Sequence, residues 1–237
     1  MKLDGIRITW LGHATFRIQT PGGRHILIDP FLKDNPKCPD NEKEANTPAI
    51  DLVLVTHGHG DHISDAAGVA KQHDSTVIAI PEICGWLRKK GVQKLSMMNK
   101  GGTQTAGDVR VTMVNAEHSS GIEDDGQMVY GGEPCGYVIE FENGLKIYHA
   151  GDTCVFGDMH LIHELYKPNI AMLPIGDHFT MGPKEAAYAC RLLQPQSVIP
   201  MHYGTFPVLT GTPQQFKQAV QEFGVEVVEL TPGKTVQ

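Results

Sequence analysis

An α/β fold with several strands is what the sequence predicts, and three observations carry it. Short apolar runs recur between residues 6 and 29, separated by glycine-containing turns. Later in the chain, runs of the same kind alternate with segments of helical period. Between these regions, Asp51-Leu52-Val53-Leu54-Val55 reads as a short buried strand and passes directly into Thr56-His57-Gly58-His59-Gly60-Asp61-His62.

In order, 6–10, 14–19 and 25–29 read as strands, the early ones arranged as hairpins. Strand 51–55 leads through the histidine-rich segment into a helix over 65–72. Segment 77–80 is read as a strand and 82–90 as a helix, whose closing Arg88-Lys89-Lys90 complements the helix dipole. Strands are expected over 109–116, 137–141, 145–149, 170–174 and 197–201, and helices near 156–166, 184–193 and 213–223. Two segments are left as long loops: 33–48, which is polar and charged, and 119–135, which holds four glycines. The second starts one residue after His118, and a substrate-covering role is expected for it.

Composition fits one domain spanning 1–237. Apolar residues make up 41% and charged residues 20% of the chain, and no linker or low-complexity run divides it. No stretch is apolar enough for stable membrane insertion. The start, Met1-Lys2-Leu3-Asp4-Gly5, lacks the regions of a signal peptide, so a cytoplasmic location is expected. The net charge of −7 argues against nucleic acid as a partner and leaves a small-molecule substrate. Five scattered cysteines show no C-x-x-C spacing and read as reduced thiols. Cys154, close to Asp152, is read as a packing residue.

The histidine-rich segment carries the chemistry. His57 and His59 are two apart, so in extended chain they point the same way. The turn then delivers Asp61 and His62 from another direction. One cation cannot easily use all four groups, whereas two adjacent cations can. Further candidates lie just past strands: His118 after 109–116, Asp152 in Gly151-Asp152-Thr153, and His202 after 197–201. The seven groups suffice for two cations and a bridging water, and imidazole with carboxylate suits zinc and its first-row neighbours.

This pattern resembles the metallo-β-lactamase superfamily: H-x-H-x-D-H, a distant His, an Asp in a Gly-Asp turn and a final His. The end motifs Trp10-Leu11-Gly12-His13-Ala14-Thr15 and His202-Tyr203-Gly204-Thr205-Phe206, with Ile28-Asp29-Pro30 and Leu173-Pro174-Ile175-Gly176, narrow the likeness. They resemble the branch of uncharacterised bacterial metal-dependent hydrolases related to ascorbate-6-phosphate lactonase and N-acyl-phosphatidylethanolamine phospholipase D. The resemblance implies a four-layer αβ/βα sandwich with two mixed sheets flanked by helices. It implies that His57, His59 and His118 hold one cation and that Asp61, His62 and His202 hold the other, with Asp152 bridging. Asp29 would brace the site. The cofactors are expected to be two divalent ions, zinc first and manganese, as in the lactonase relative, second. Members of the branch often assemble, which makes a homo-oligomer an open expectation.

The chemistry expected is hydrolysis of an ester, lactone or phosphodiester by hydroxide formed at the two metals, with Asp61 accepting its hydrogen bond. His178, in Gly176-Asp177-His178, is the candidate proton donor or oxyanion stabiliser and Asp177 the weaker choice; an exposed turn histidine is the competing reading. His13 is expected to support the site or its loop, and His149 to be a core residue or a support. His160 and His163 are expected on an exposed helix face. The alternative function is a mononuclear iron oxidoreductase resembling the persulfide dioxygenases, distinguished by one iron per chain.

Overall fold

The computed structural model describes residues 1–43 and 48–237. Strands β1 (Arg7–Trp10), β2 (Phe16–Gln19) and β3 (His25–Ile28) form an antiparallel meander. After the one-turn helix α1 (Asp40–Lys43), β4 (Leu52–Leu54) joins parallel to β3. Helices α2 (Gly60–Ile63) and α3 (Ala66–His73) lead to β5 (Thr76–Ala79), and α4 (Pro81–Lys89) leads to β6 (Leu95–Met97), both strands parallel to their predecessors.

The second sheet repeats the plan. Strands β7 (Thr103–Ala106) and β8 (Val109–Asn115) are antiparallel. A detached hairpin follows, β9 (Gly121–Asp124) with β10 (Gln127–Tyr130). Strands β11 (Cys135–Glu140) and β12 (Lys146–His149) complete the antiparallel half. Helix α5 (Met159–Tyr166), β13 (Ile170–Pro174), α6 (Pro183–Leu193), β14 (Ser197–Met201), α7 (Pro213–Ala219) and β15 (Glu226–Val227) supply the parallel half. Finally β16 (Thr235–Val236) returns to the first sheet beside β1.

Two seven-stranded mixed sheets result, flanked by helices. One apolar cluster fills the space between the sheets, with Phe16, Val53 and Ile78 meeting Met113, Tyr137 and Ile199, and extends to Ile83 and Leu87 of α4. A second lies between the second sheet and its helices, where Tyr148, Leu173 and Val198 meet Met159, Cys190 and Phe216. These layers are the four-layer αβ/βα sandwich. Local chemistry sets the helix ends. Pro81 and Pro183 occupy first-turn positions, where a missing N–H costs nothing, and Thr212 with Gln215 forms a capping box for α7.

Several expectations need correction. Segment 119–135 is no structureless loop, because Ile122 pairs with Val129 and Tyr130 with Gly121 in the hairpin. The helix expected over 156–166 begins at Met159, and that over 213–223 ends at Ala219, followed by a 3-10 turn over Gln221–Phe223. Segment 33–48 contains α1; its residues 44–47 lie outside the described residues. Cys154 is exposed rather than packed.

Candidate metal centre

The strand ends gather the candidates at one edge of the sandwich. Asp29 directly follows β3, and Thr56 to His62 follow β4. His118 comes after β8, Asp152 after β12 and His202 immediately after β14. Ends of strands are where an open α/β sheet presents groups to a ligand. Within the motif, His59 occupies the N-cap of α2, and this single helical turn carries both Asp61 and His62. Gly58 is required here: a Cβ would stand 2.5 Å from Ile122 Cγ1 and 3.1 Å from the Ser120 carbonyl.

Two groups of donors form. In the first, ring nitrogens of His57, His59 and His118 lie within 4.8 Å of one another, with His57 Nε2 and His59 Nδ1 3.0 Å apart. In the second, Asp61, His62 and His202 converge, together with His13. Asp152 Oδ2 faces both groups. It lies 3.0 Å from His202 Nε2 and 3.3 Å from His62 Nε2, and on the other side 3.7 Å from His118 Nε2 and 3.9 Å from His57 Nε2. All seven expected ligand residues are therefore brought together.

His178 is not in either group. It sits exposed on a left-handed backbone (φ 61°), its ring edge-on to Phe179. Its neighbour Asp177 is also exposed and left-handed (φ 66°). His149 is buried and engages the Ala14 carbonyl and the Gly151 amide, in keeping with a supporting role. His160 is exposed as expected, but His163 is partly covered and bonds the Leu193 carbonyl.

Supporting contacts hold the rings in place. Asp29 is fully buried and left-handed (φ 48°). Its carboxylate accepts from Thr56 N at 2.8 Å, Thr56 Oγ1 at 2.7 Å and His62 Nδ1 at 2.8 Å. That leaves His62 Nε2 directed at Asp152. Ser119 Oγ lies 3.2 Å from His59 Nε2, and the Gly58 amide donates to Ser120 Oγ. Thr56 and Thr205 lie inside motifs read from the sequence but carry no assigned role there, and Ser119 is marked only by following His118.

The electrostatics put most of these groups in the form that binds a cation, while His62 is held in its charged form, whose proton a cation would displace. Burial, then the charge of His62, holds the His57 imidazole well below its ordinary pKa, and burial likewise lowers His59 and His118. Burial lowers His13 to about 4, aided by His202. Burial also opposes charge on His62, but the Asp152 and Asp61 carboxylates outweigh it and raise its pKa. For Asp152, burial opposes ionisation and the His202 and His62 charges reverse it; for Asp61, His62 and His13 do so. Neutral imidazoles and ionised carboxylates are ligand forms.

Divalent cations fit this set. Among the described residues, Asp152 Oδ1 and the Nε2 atoms of His62 and His202 are buried and make no hydrogen bond, the two nitrogens facing Asp152 Oδ2 only as ion-pair neighbours. Leaving such a group unsatisfied costs about 1–3 kcal/mol, and coordination removes that cost. Nitrogen and carboxylate donors suit zinc and its neighbours.

Comparisons with known proteins identify the family. Residues 7–202 match the Beta-lactamase superfamily domain. A UPF0173 metal-dependent hydrolase of Koribacter versatilis is 58% identical over 235 residues, covering 99% of each chain. One from Methanopyrus kandleri is 50% identical, covering 98% of this chain and 100% of its own. The solved structure of Igni18, a metallo hydrolase from Ignicoccus hospitalis, is 37% identical with a TM-score of 0.85, covering 98% of this chain and 97% of that one. The diiron β-hydroxylase CmlA from Streptomyces venezuelae shares the fold alone, at 16% identity and a TM-score of 0.76, over 100% of this chain and 55% of that one. By sequence, fold and donor set together, the chain belongs to the β-lactamase superfamily and is one of its metal-dependent hydrolases.

Proposed function

We propose that the protein hydrolyses an ester, lactone or phosphodiester in a small or medium-sized substrate, using two divalent cations, zinc before manganese. His57, His59 and His118 would hold one cation and Asp61, His62 and His202 the other, with Asp152 shared. The observation that carries this reading is the position of Asp152 Oδ2 between the two groups of rings. When bound, the cation pair would supply hydroxide at neutral pH and polarise the scissile bond.

The chain's own residues do the rest. Asp61, partly exposed at the mouth, accepts the hydrogen bond of the attacking water and orients it. His178, exposed beside Phe179, is the residue proposed to serve the leaving oxygen. The β9–β10 hairpin borders the opening through Ser119 and Ser120, and exposes Met128 and Tyr130 for contact with substrate. Both sheets supply ligands, so residues 1–237 act as one catalytic domain.

The test is metal analysis per chain, paired with a screen of lactone, ester and phosphodiester substrates. Two zinc or manganese ions and metal-dependent turnover are expected. One iron per chain and no hydrolysis would overturn the reading in favour of oxygen chemistry.

A further inference from the structure

His13 occupies a position that the ligand set does not use. Its turn is fixed from several sides: Leu11 N donates to Thr15 O, Thr15 N to Gly12 O, and the His13 carbonyl accepts from Trp10 Nε1 and His202 N. Gly12 is left-handed (φ 95°), and a Cβ there would meet Lys37 Cβ at 2.8 Å. The backbone of His13 is left-handed too (φ 56°), which turns its fully buried ring inward against His202, with centroids 3.9 Å apart. Both ring nitrogens are engaged, Nε2 at 2.9 Å from Asp61 Oδ2 and Nδ1 at 2.9 Å from Thr205 Oγ1.

An ionised carboxylate only accepts, so His13 Nε2 carries the proton toward Asp61. The other nitrogen of the neutral ring then accepts from the Thr205 hydroxyl. We infer that His13 is a positioning residue: the chain Thr205–His13–Asp61 holds the Asp61 carboxylate in the orientation its cation requires. The inference rests on the ligand set proposed above. It also separates two roles for His13, because its Nε2 is close enough to the second group to be a ligand itself. A ligand would have to give up the bond to Asp61 and would turn its Nδ1–H toward Thr205, so the Asp61 bond, which Gln can keep and Leu cannot, is what separates the two roles. A positioning residue depends on both partners.

Cobalt(II) titration of the metal-free protein, followed by visible absorbance, separates the possibilities without relying on turnover. The proteins are wild type, His13→Leu, His13→Gln, Thr205→Val and Thr205→Ser, each checked for folding by circular dichroism. Outer partners of metal ligands typically change affinity by about 10–100-fold. His13→Leu should weaken the second cobalt by that amount and spare the first. His13→Gln, which keeps an N–H donor, should recover part of the loss. Thr205→Val should weaken the second cobalt by about 10-fold, near the lower end of that range, and Thr205→Ser should restore it. Wild-type affinity in Thr205→Val, or equal loss in the Gln and Leu variants, would overturn the inference and make His13 a ligand or a packing residue. Uptake of a single cobalt by wild type would instead sink the two-cation reading, and this inference with it.

Discussion

At the scale of single residues, the shared carboxylate makes the sharpest prediction. Asp152→Ala should lose both cations, whereas His118→Ala should lose only one; metal counts per chain decide this, and two ions retained in Asp152→Ala would refute the bridging role. Asp29→Asn keeps the shape but turns an amide toward two donors, Thr56 Oγ1 and His62 Nδ1. Metal affinity should fall by about 10–100-fold, measured by competition with a chelating dye, and an unchanged affinity would reduce Asp29 to a turn residue. The candidate ligands were legible because most are clustered in one motif and the others directly follow recognisable strands. Asp29 and His13 were legible as supports through the family resemblance, but the contacts they make were not. His13 and Thr205 are 192 residues apart, and no local pattern announces a contact of that separation.

At the scale of elements, the β9–β10 hairpin was the main feature hidden from the sequence. Its strands are four residues long, and Gly121, Gly126 and the neighbouring Gly131 and Gly132 read locally as loop. Its order comes from tertiary contacts: Ile122 packs on Gly58, and Asp124 is held by Trp86 Nε1 and Lys90 Nζ of and beyond α4. Edge strands such as β15 and β16 escaped for a related reason, since two residues carry no period. The buried central strands β13 and β14 could be read directly as continuous apolar runs. Gly58→Ala should push the hairpin off the motif, because the new methyl would contact Ile122 and the Ser120 carbonyl. Hydrogen exchange across 121–130 should accelerate while the central strands keep their protection. Unchanged exchange would mean that the hairpin is held by its Asp124 end alone.

At the scale of the whole molecule, the two halves share a plan, an antiparallel meander followed by parallel crossovers, and meet across one apolar layer. Buried thiols report on the integrity of those layers. Burial raises Cys135 and Cys190 from an ordinary 9.0 to about 12. Folding therefore retains two protons that the unfolded chain releases, so the associated stability is full below pH 9 and is lost as pH rises towards about 12. Urea midpoints should fall between pH 8.5 and 10.5, and less so in the Cys135→Ala, Cys190→Ala double variant; equal slopes would exclude these two thiols as the cause. The same scale exposes a pattern in the backbone. His13, Asp29, Asp177, His178 and His202 all adopt left-handed angles, five non-glycine residues around one edge. Such residues each cost about 1–2 kcal/mol relative to an ordinary conformation, and glycine would relieve it. His178→Gly should accordingly raise the melting temperature and lower turnover. At the exposed His178, stability and turnover therefore pull in opposite directions, whereas the buried His13 and Asp29 are held by hydrogen bonds that glycine would delete. A lineage of this chain released from selection for turnover is expected to drift toward glycine at His178 first, so that loss of activity would be written in that turn before the core.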